Sequence, residues 1–464
     1  MTQQDDSIAF RTKVSSFCQR ALGGSSKIDN LRRLTGGANM ESWLIEYGGT
    51  AFVLRRMPKG MSELGGIGLS SEARLIKAAR DGSVKAPKVC GILIESDDLG
   101  SGFLMEKIEG ETLPHKIFRD TSYSAAVQNL MQDCAIELAK IHAMNVDDFS
   151  DILDTKSPQQ MIDALYSDYR ASQCPIPVFE AAFSWLRENM PNDRAHTILH
   201  GDFRMGNLMI DEMGISGVLD WELAHIGDPA QDVAYLCTPS WRFGNYHKTV
   251  GGFGDLDGFL DAYARRGGLS IPRSDVQFWM IYSSLWWATV CFSMTNTWRS
   301  GEDRGLERIV IGRRVSECEV DILILLEEAM SLTAPRIDWK LPTEPAHIGQ
   351  PDGAELMTAL IAWDSDVVIP SAESRDLFQA RVARNALGIL KREALYSPTF
   401  EQQQNARLAK LGLDNVSLCA KLATGDLTLA NPDILSHLRH QALETLSIDQ
   451  PKYAGLQAAL KDWT

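Results

Sequence analysis

The eight cysteines form no Cys-x-x-Cys pair, and none stands at zinc-ligand spacing from a histidine. This argues against a structural zinc and against a disulfide framework, and it fits reduced, mostly buried thiols in a cytoplasmic protein. Positive charge is also scarce. With 46 Lys and Arg against 61 Asp and Glu, the net charge is −15. Neither nucleic acid nor an anionic membrane is then an expected partner, because little basic surface is available to neutralise phosphates. One phosphorylated small molecule can still find a local cationic pocket. No G-x-x-x-x-G-K-[ST] run occurs, which rules against a P-loop enzyme. The opening "MTQQDDSIAF" has neither a basic n-region nor an apolar h-region, so secretion is not expected. Only one long uncharged run is present, "FWMIYSSLWWATVCFSMT" at 278–295. Its serines and threonines, and its acidic, arginine-containing flanks, predict a buried core helix rather than a membrane span.

What remains is an ordinary globular composition, 44% hydrophobic and 23% charged over 464 residues, long enough for two or three domains. From Leu31 to Arg56, "SWLIEY" and "TAFVLRR" read as strands joined at Gly48-Gly49, a hairpin signal. "SSEARLIKAA" has helical spacing, and "VKAPKVCGILIES" and "SGFLMEKIEG" look like further strands. Residues 1–108 are therefore expected to form a small strand-rich lobe. After Gly110 the character changes. "AAVQNLMQDCAIELAKIHAM" is a long amphipathic helix, and 109–332 reads as mainly helical around one strand-bearing motif. Pro335, Pro342, Pro345 and Pro351 mark a linker over 333–351. Behind it, 352–464 reads as an all-α unit, expected to be separable, with the arginines of "RVARNALGILKRE" on a solvated or partner-facing surface.

The motif is "HGDFRMGN", His200 to Asn207, flanked by the short apolar strands "TIL" and "LMI". Downstream, "DEMG" is a turn and "ISGVLDW" a second strand. A hairpin about Met213 brings Asn207 beside Asp220. An amide oxygen and a carboxylate at one strand edge suit a hard cation such as Mg²⁺. Asp202 then sits at the loop tip, as a base taking a proton from a hydroxyl does. Each residue alone reads as a turn or cap residue. Four fixed positions, His200, Asp202, Asn207 and Asp220, with strands in the right places, point to chemistry. His200 is expected to hold the loop by hydrogen bonds.

"HGDFRMGN…VLDWE" resembles the catalytic loop and metal site of the aminoglycoside phosphotransferase family, in the branch whose relatives are fused to acyl-CoA dehydrogenases. The resemblance runs from about Leu31 to Glu328, and beyond the linker the chain resembles only a small helical domain of unknown function. It implies an α+β, bilobal, protein-kinase-like fold, with a β-rich small lobe and a mainly helical large lobe, to which the all-α C-terminal domain is added. It also implies Asp202 as catalytic base, Asn207 and Asp220 as magnesium ligands, and structural roles for Asp228 and Asp232. A kinase-like small lobe needs a cation on its third strand. "FVLRR" supplies Val53 and Arg55 on one strand face, with Glu72 on the next helix as the partner orienting Arg55. Arginine departs from the lysine common in this family; it keeps the charge but forks to two oxygens. "TGGAN", with Gly36 and Gly37, is expected to cover the phosphates through backbone N–H groups. Backbone groups from Glu106 to Ile108 are expected to read the adenine edge. Arg204, two residues past the base, stands where protein kinases place a lysine that neutralises the transferred phosphoryl group.

The expected function is ATP- and Mg²⁺-dependent transfer of the γ-phosphate to a hydroxyl of a small molecule, with a hydroxyacyl-CoA as the substrate the resemblance implies. Two alternatives stand beside it: a non-catalytic nucleotide-binding scaffold, and an aminoglycoside-type antibiotic kinase. A protein partner or self-association is expected only through the C-terminal helices.

Overall fold

Tyr47 pairs with Thr50 across Gly48-Gly49, whose φ angles are +59° and +78°. Positive φ at both central residues gives the turn whose twist matches right-twisted strands, and only glycine takes it without strain. The computed structural model describes residues 3–24, 26–34, 40–59, 66–192, 196–344 and 349–464. It divides into two compact units, Met1–Lys156 with Asp193–Cys237 and Lys248–Pro272, and Ser157–Asn192 with Thr238–His247 and Arg273–Thr464. Elements are numbered along the whole chain.

The first unit begins with α1 (Gln3–Leu22), then β1 (Ile28–Arg33), β2 (Glu41–Tyr47), β3 (Thr50–Met57), α2 (Leu69–Asp81), β4 (Val89–Ile92) and β5 (Ser101–Glu106). The strands form one antiparallel sheet in the order β1-β2-β3-β5-β4. On β3, Phe52 and Leu54 point into a core shared with Val14, Phe17 and Cys18 of α1. Alternation puts Val53 and Arg55 on the opposite face, as the spacing predicts. Helix α1 is an addition to the strand-rich lobe read from the sequence; its apolar residues at 14, 17, 18 and 21 do follow a helical period.

The rest of this unit holds α3 (Pro114–Ile117), α4 (Ser124–His142), β6 (Thr197–Leu199), β7 (Leu208–Ile210), β8 (Ile215–Val218), β9 (His225–Gly227), α7 (Ala230–Cys237) and α8 (Leu256–Arg265). Strands β7 and β8 form the expected hairpin, with Leu208 opposite Val218. Its turn is closed by Asp211, whose Oδ1 accepts from the N–H groups of Met213 (2.8 Å) and Gly214 (3.0 Å). Strands β6 and β9 pair separately, Leu199 opposite His225. The chain leaving β5 is pinned to β7 by reciprocal bonds between Glu111 and Ile210, 2.8 and 2.9 Å.

The second unit is helical: α5 (Pro158–Ala171), α6 (Pro177–Glu188), α9 (Arg273–Ser300), α10 (Leu306–Ile311), α11 (Val315–Ala329), α12 (Gly353–Trp363), α13 (Ile369–Ser371), α14 (Ser374–Leu411), α15 (Asn415–Thr424), α16 (Pro432–Asp449) and α17 (Ala454–Trp463). The uncharged run lies in α9, where Phe278, Trp279 and Ile281 are buried. Among the described residues no helix is long and apolar enough to cross a membrane. The described part of the proline-bearing segment has neither helix nor strand, yet it is tied down. Ile337 N–H donates to the Trp463 carbonyl at 2.7 Å. Arg439 of α16 forks onto Glu327 of α11 with two bonds of 2.8 Å, and Trp463 Nε1 donates to the same carboxylate at 3.1 Å. Helices behind the linker thus share one compact unit with helices ahead of it.

Candidate active site

The loop between β6 and β7 turns at Gly201, whose φ is +82° and where a Cβ would lie 2.2 Å from the Leu223 carbonyl oxygen. Only glycine passes there. Buried Asp232, on α7, holds the turn: Oδ2 accepts from the His200 N–H at 2.7 Å and Oδ1 from the Gly201 N–H at 2.9 Å. His142 at the end of α4 approaches Asp232 at 3.2 Å and is itself 2.7 Å from the Tyr263 hydroxyl. Burial would raise the Asp232 carboxyl, but the His142 bond and the backbone donors outweigh it and hold it low. The His200 ring is buried and bonded at both nitrogens. Its Nδ1 accepts from the Asp202 N–H (3.2 Å), so Nε2 carries the proton and donates to the Leu219 carbonyl (3.0 Å). Burial pushes its pKa down, and a neutral ring suits this structural post.

Asp202 is nearly buried, and its carboxylate is held from two directions. Arg204 Nε donates to Oδ1 at 2.9 Å, and Asn207 Nδ2 donates to Oδ2 at 2.5 Å and to the Asp202 carbonyl at 3.0 Å. Burial raises the Asp202 pKa against the pull of Arg204. Asn207 spends both amide hydrogens on Asp202, so its Oδ1 is the remaining acceptor. The backbone bond from Leu219 N–H to the Asn207 carbonyl, 2.8 Å, fixes Asn207 alongside the end of β8. There Asp220 has φ +67°, a left-handed conformation that aspartate tolerates better than most side chains.

Arg55 reaches this edge from β3. Its Nη1 is 2.6 Å from Asp220 Oδ1 and 3.5 Å from Glu72 Oε1, and its Nη2 is 2.6 Å from Glu222 Oε2. One guanidinium therefore faces three carboxylates. Burial pushes the Glu72 carboxyl up to about 7, with Arg55 opposing and Asp220 and Glu222 adding to the rise. Glu222 is raised by burial and then by Asp220. The surplus of negative charge and the hard oxygen donors of Asn207 and Asp220 fit a divalent cation of the magnesium type, which takes few protein ligands and completes its shell with water and phosphate.

Of the residues expected from the sequence, Arg55, Glu72, Asp202, Arg204, Asn207 and Asp220 lie in this one unit, linked as above. Val53 shares the Arg55 face, opposite Met105 of β5. The Glu106 N–H is spent on the Lys88 carbonyl (2.9 Å) and the Lys107 N–H on the Ala51 carbonyl (3.1 Å). The Ile108 side chain lies over Gly217 of β8, where a Cβ would meet it at 2.5 Å. Gly36 and Gly37 fall outside the described residues. Asp228 accepts from the Ala230 N–H at 2.9 Å at the start of α7.

The sequence reading missed three participants. Glu222, two past Asp220 in the quoted motif, offered a signal as a second carboxylate. Tyr235 hydrogen-bonds to Asp202 and Arg204 from α7; nothing local marked it. His142 was visible only as the end of an amphipathic helix.

Residues 30–274 match the phosphotransferase enzyme family (APH), and 370–453 match a domain of unknown function, DUF6285. Mouse acyl-CoA dehydrogenase family member 10 is 32% identical over 212 residues, covering 43% of this chain and 19% of that protein. Human acyl-CoA dehydrogenase family member 11 is 23% identical over 322 residues, 65% of this chain and 40% of that one. The chain thus spans less than half the length of these curated relatives. Among solved structures, a putative aminoglycoside phosphotransferase from Ralstonia eutropha aligns with a TM-score of 0.55 at 19% identity, covering 69% of this chain and 98% of that one. That likeness carries the kinase-like fold. With more than half its length matched to the family profile around the loop that holds Asp202 and Asn207, this chain belongs to the phosphotransferase enzyme family.

Proposed function

We propose that the protein transfers the γ-phosphate of ATP, with Mg²⁺, to a hydroxyl group of a small molecule. The observation that carries this reading is the fixed Asp202 carboxylate, bonded by Arg204 and Asn207, in the same unit as the Arg55–Asp220 pair. Asp202 accepts the proton of the acceptor hydroxyl, and its raised pKa makes it a better base than a solvated aspartate. Arg204, paired with Asp202, offsets charge on the transferring group, and Arg55 binds phosphate oxygens. Asn207 and Asp220 are the residues that would hold magnesium, which when bound neutralises phosphate charge. Val53 and the backbone from Glu106 to Ile108 form the adenine side. Free thiols at all eight cysteines fit a cytoplasmic setting.

For the acceptor, we infer a hydroxylated acyl thioester, supported by the names of the curated relatives. The test is phosphorylation of hydroxyacyl-CoAs and of aminoglycosides, side by side, by the purified chain with ATP and Mg²⁺. Turnover of hydroxyacyl-CoAs is expected. Turnover confined to the antibiotics overturns the acceptor, and no nucleotide consumption with any acceptor favours a binding-only scaffold.

A further inference from the structure

Helix α12, with the π-turn Asp364–Val368 that extends it, carries apolar side chains on two separate faces. Ala354, Met357, Ile361 and Val368 are buried or half-buried, and α12 packs on α14. Leu356, Leu360, Trp363 and Val367 follow steps of four, three and four, and they are 58, 48, 56 and 53% exposed. At 3.6 residues per turn the second row lies roughly a quarter-turn or more round the helix from the first. A helix apolar over this much of its circumference belongs inside a bundle, and an exposed row of this size marks an interaction face.

The charges say what covers it. From 352 to 373 the chain carries Asp352, Glu355, Asp364, Asp366 and Glu373, with neither lysine nor arginine. From 375 to 392 it carries Arg375, Arg381, Arg384, Lys391 and Arg392 against the single acid Asp376. Arg381 and Arg384 are exposed, as are Asp366 and Glu373. The hairpin therefore has an acidic arm and a basic arm, and it complements itself when turned about a two-fold axis. We propose that two copies of this chain associate through the α12–α14 hairpin. The acidic arm of one copy lies along the basic arm of the other, and the row from Leu356 to Val367 forms the dry centre of an isologous contact. An anionic membrane is a poorer occupant, because acids flank the row and are repelled from such a surface.

Sedimentation equilibrium of the full chain tests this, with circular dichroism to verify that each variant is folded. Wild type should show twice the 51.4 kDa chain mass, and Trp363→Glu should be monomeric. The double variants Arg381→Glu with Arg384→Glu, and Asp366→Lys with Glu373→Lys, should each be monomeric alone because like charges then face each other. Mixed in equal amounts, they should form a mixed dimer. A wild-type monomer at tens of micromolar overturns the proposal, and so does a dimer that survives Trp363→Glu. Two monomeric double variants that fail to pair on mixing overturn the arrangement of the arms. A wild-type monomer that sediments with phosphatidylserine vesicles assigns the row to a membrane instead.

Discussion

Each unit of this chain holds carboxyls pushed up by burial, and their surroundings differ in everything else. In the first unit, Glu72, Asp220 and Glu222 gather about Arg55, and Glu72 is pushed up to about 7, chiefly by burial. In the second unit, Glu319 and Asp321 on α11 are pushed to about 8 and about 7, again chiefly by burial. Asp321 accepts from the Tyr246 and Tyr453 hydroxyls, at 2.9 and 2.7 Å, and is wholly enclosed. Asp220, by contrast, keeps a third of its side chain exposed and has a cation beside it. A perturbed carboxyl is thus no mark of function by itself. What separates Asp220 from Asp321 is an accessible oxygen whose neighbours leave it something to bind.

The comparison breaks most visibly at Asp202. Asp202→Asn keeps the size and loses the proton acceptor, so turnover should fall by roughly two to four powers of ten while nucleotide affinity stays. Asp321→Asn, in the second unit, should leave the single-turnover rate within a few-fold. Rapid-quench rates and nucleotide titrations on both variants decide it. Equal losses would mean that burial, not placement, sets the effect.

Stability against pH should report on Glu319 and Asp321, alongside Glu72 in the first unit. Glu319 and Asp321 have folded pKa values above those of solvated carboxyls near 4, so the folded state binds more protons than the unfolded between those limits. Their contribution is fully present below about pH 4 and is lost as pH rises through about 7 and about 8. Urea midpoints should fall across this window, and Glu319→Gln should flatten the fall, by on the order of 1–3 kcal/mol. An unchanged slope would show that Glu319 is not neutral in the folded protein.

The first cluster should answer to its cation. Arg55→Met removes the guanidinium that faces Glu72, Asp220 and Glu222, and should raise the nucleotide KM about tenfold. Arg55→Lys should fall between, since lysine keeps the charge but reaches one carboxylate at a time. A KM unchanged in Arg55→Met would take Arg55 out of the phosphate site.

These expectations differ in how far the sequence alone supports them. Asp202, Asn207 and Asp220 were legible because a local hairpin with a two-residue period brings them together, and Arg55 because strand alternation fixes its face. Helix α1 followed a helical period but was overshadowed by the strands behind it. Residues behind the linker read as a unit apart, since Arg439 meets Glu327 across 112 positions and nothing local announces that pair. Glu319 and Asp321 were illegible for a related reason: in a helix such as "VSECEVDILILLEE" acids are ordinarily solvated, and only tertiary packing buries them.

Tyr235 is the hardest case, and the smallest expected effect. It lies on α7, in the apolar run "VAYLC", where an aromatic reads as core. The structure turns its hydroxyl to Asp202 and Arg204, and its own pKa is raised well above the usual value by burial and then by Asp202. It stays protonated and donates to the carboxylate, so it favours the ionised form of Asp202 and fixes the oxygen that takes the proton. Tyr235→Phe preserves the ring and removes that donor. One neutral hydrogen bond is worth about 1 kcal/mol, so the rate should drop about fivefold. The acid limb of the pH–rate profile should move to higher pH, because Asp202 without the donor is harder to ionise. A purely structural tyrosine would lower the melting temperature and leave that limb where it was.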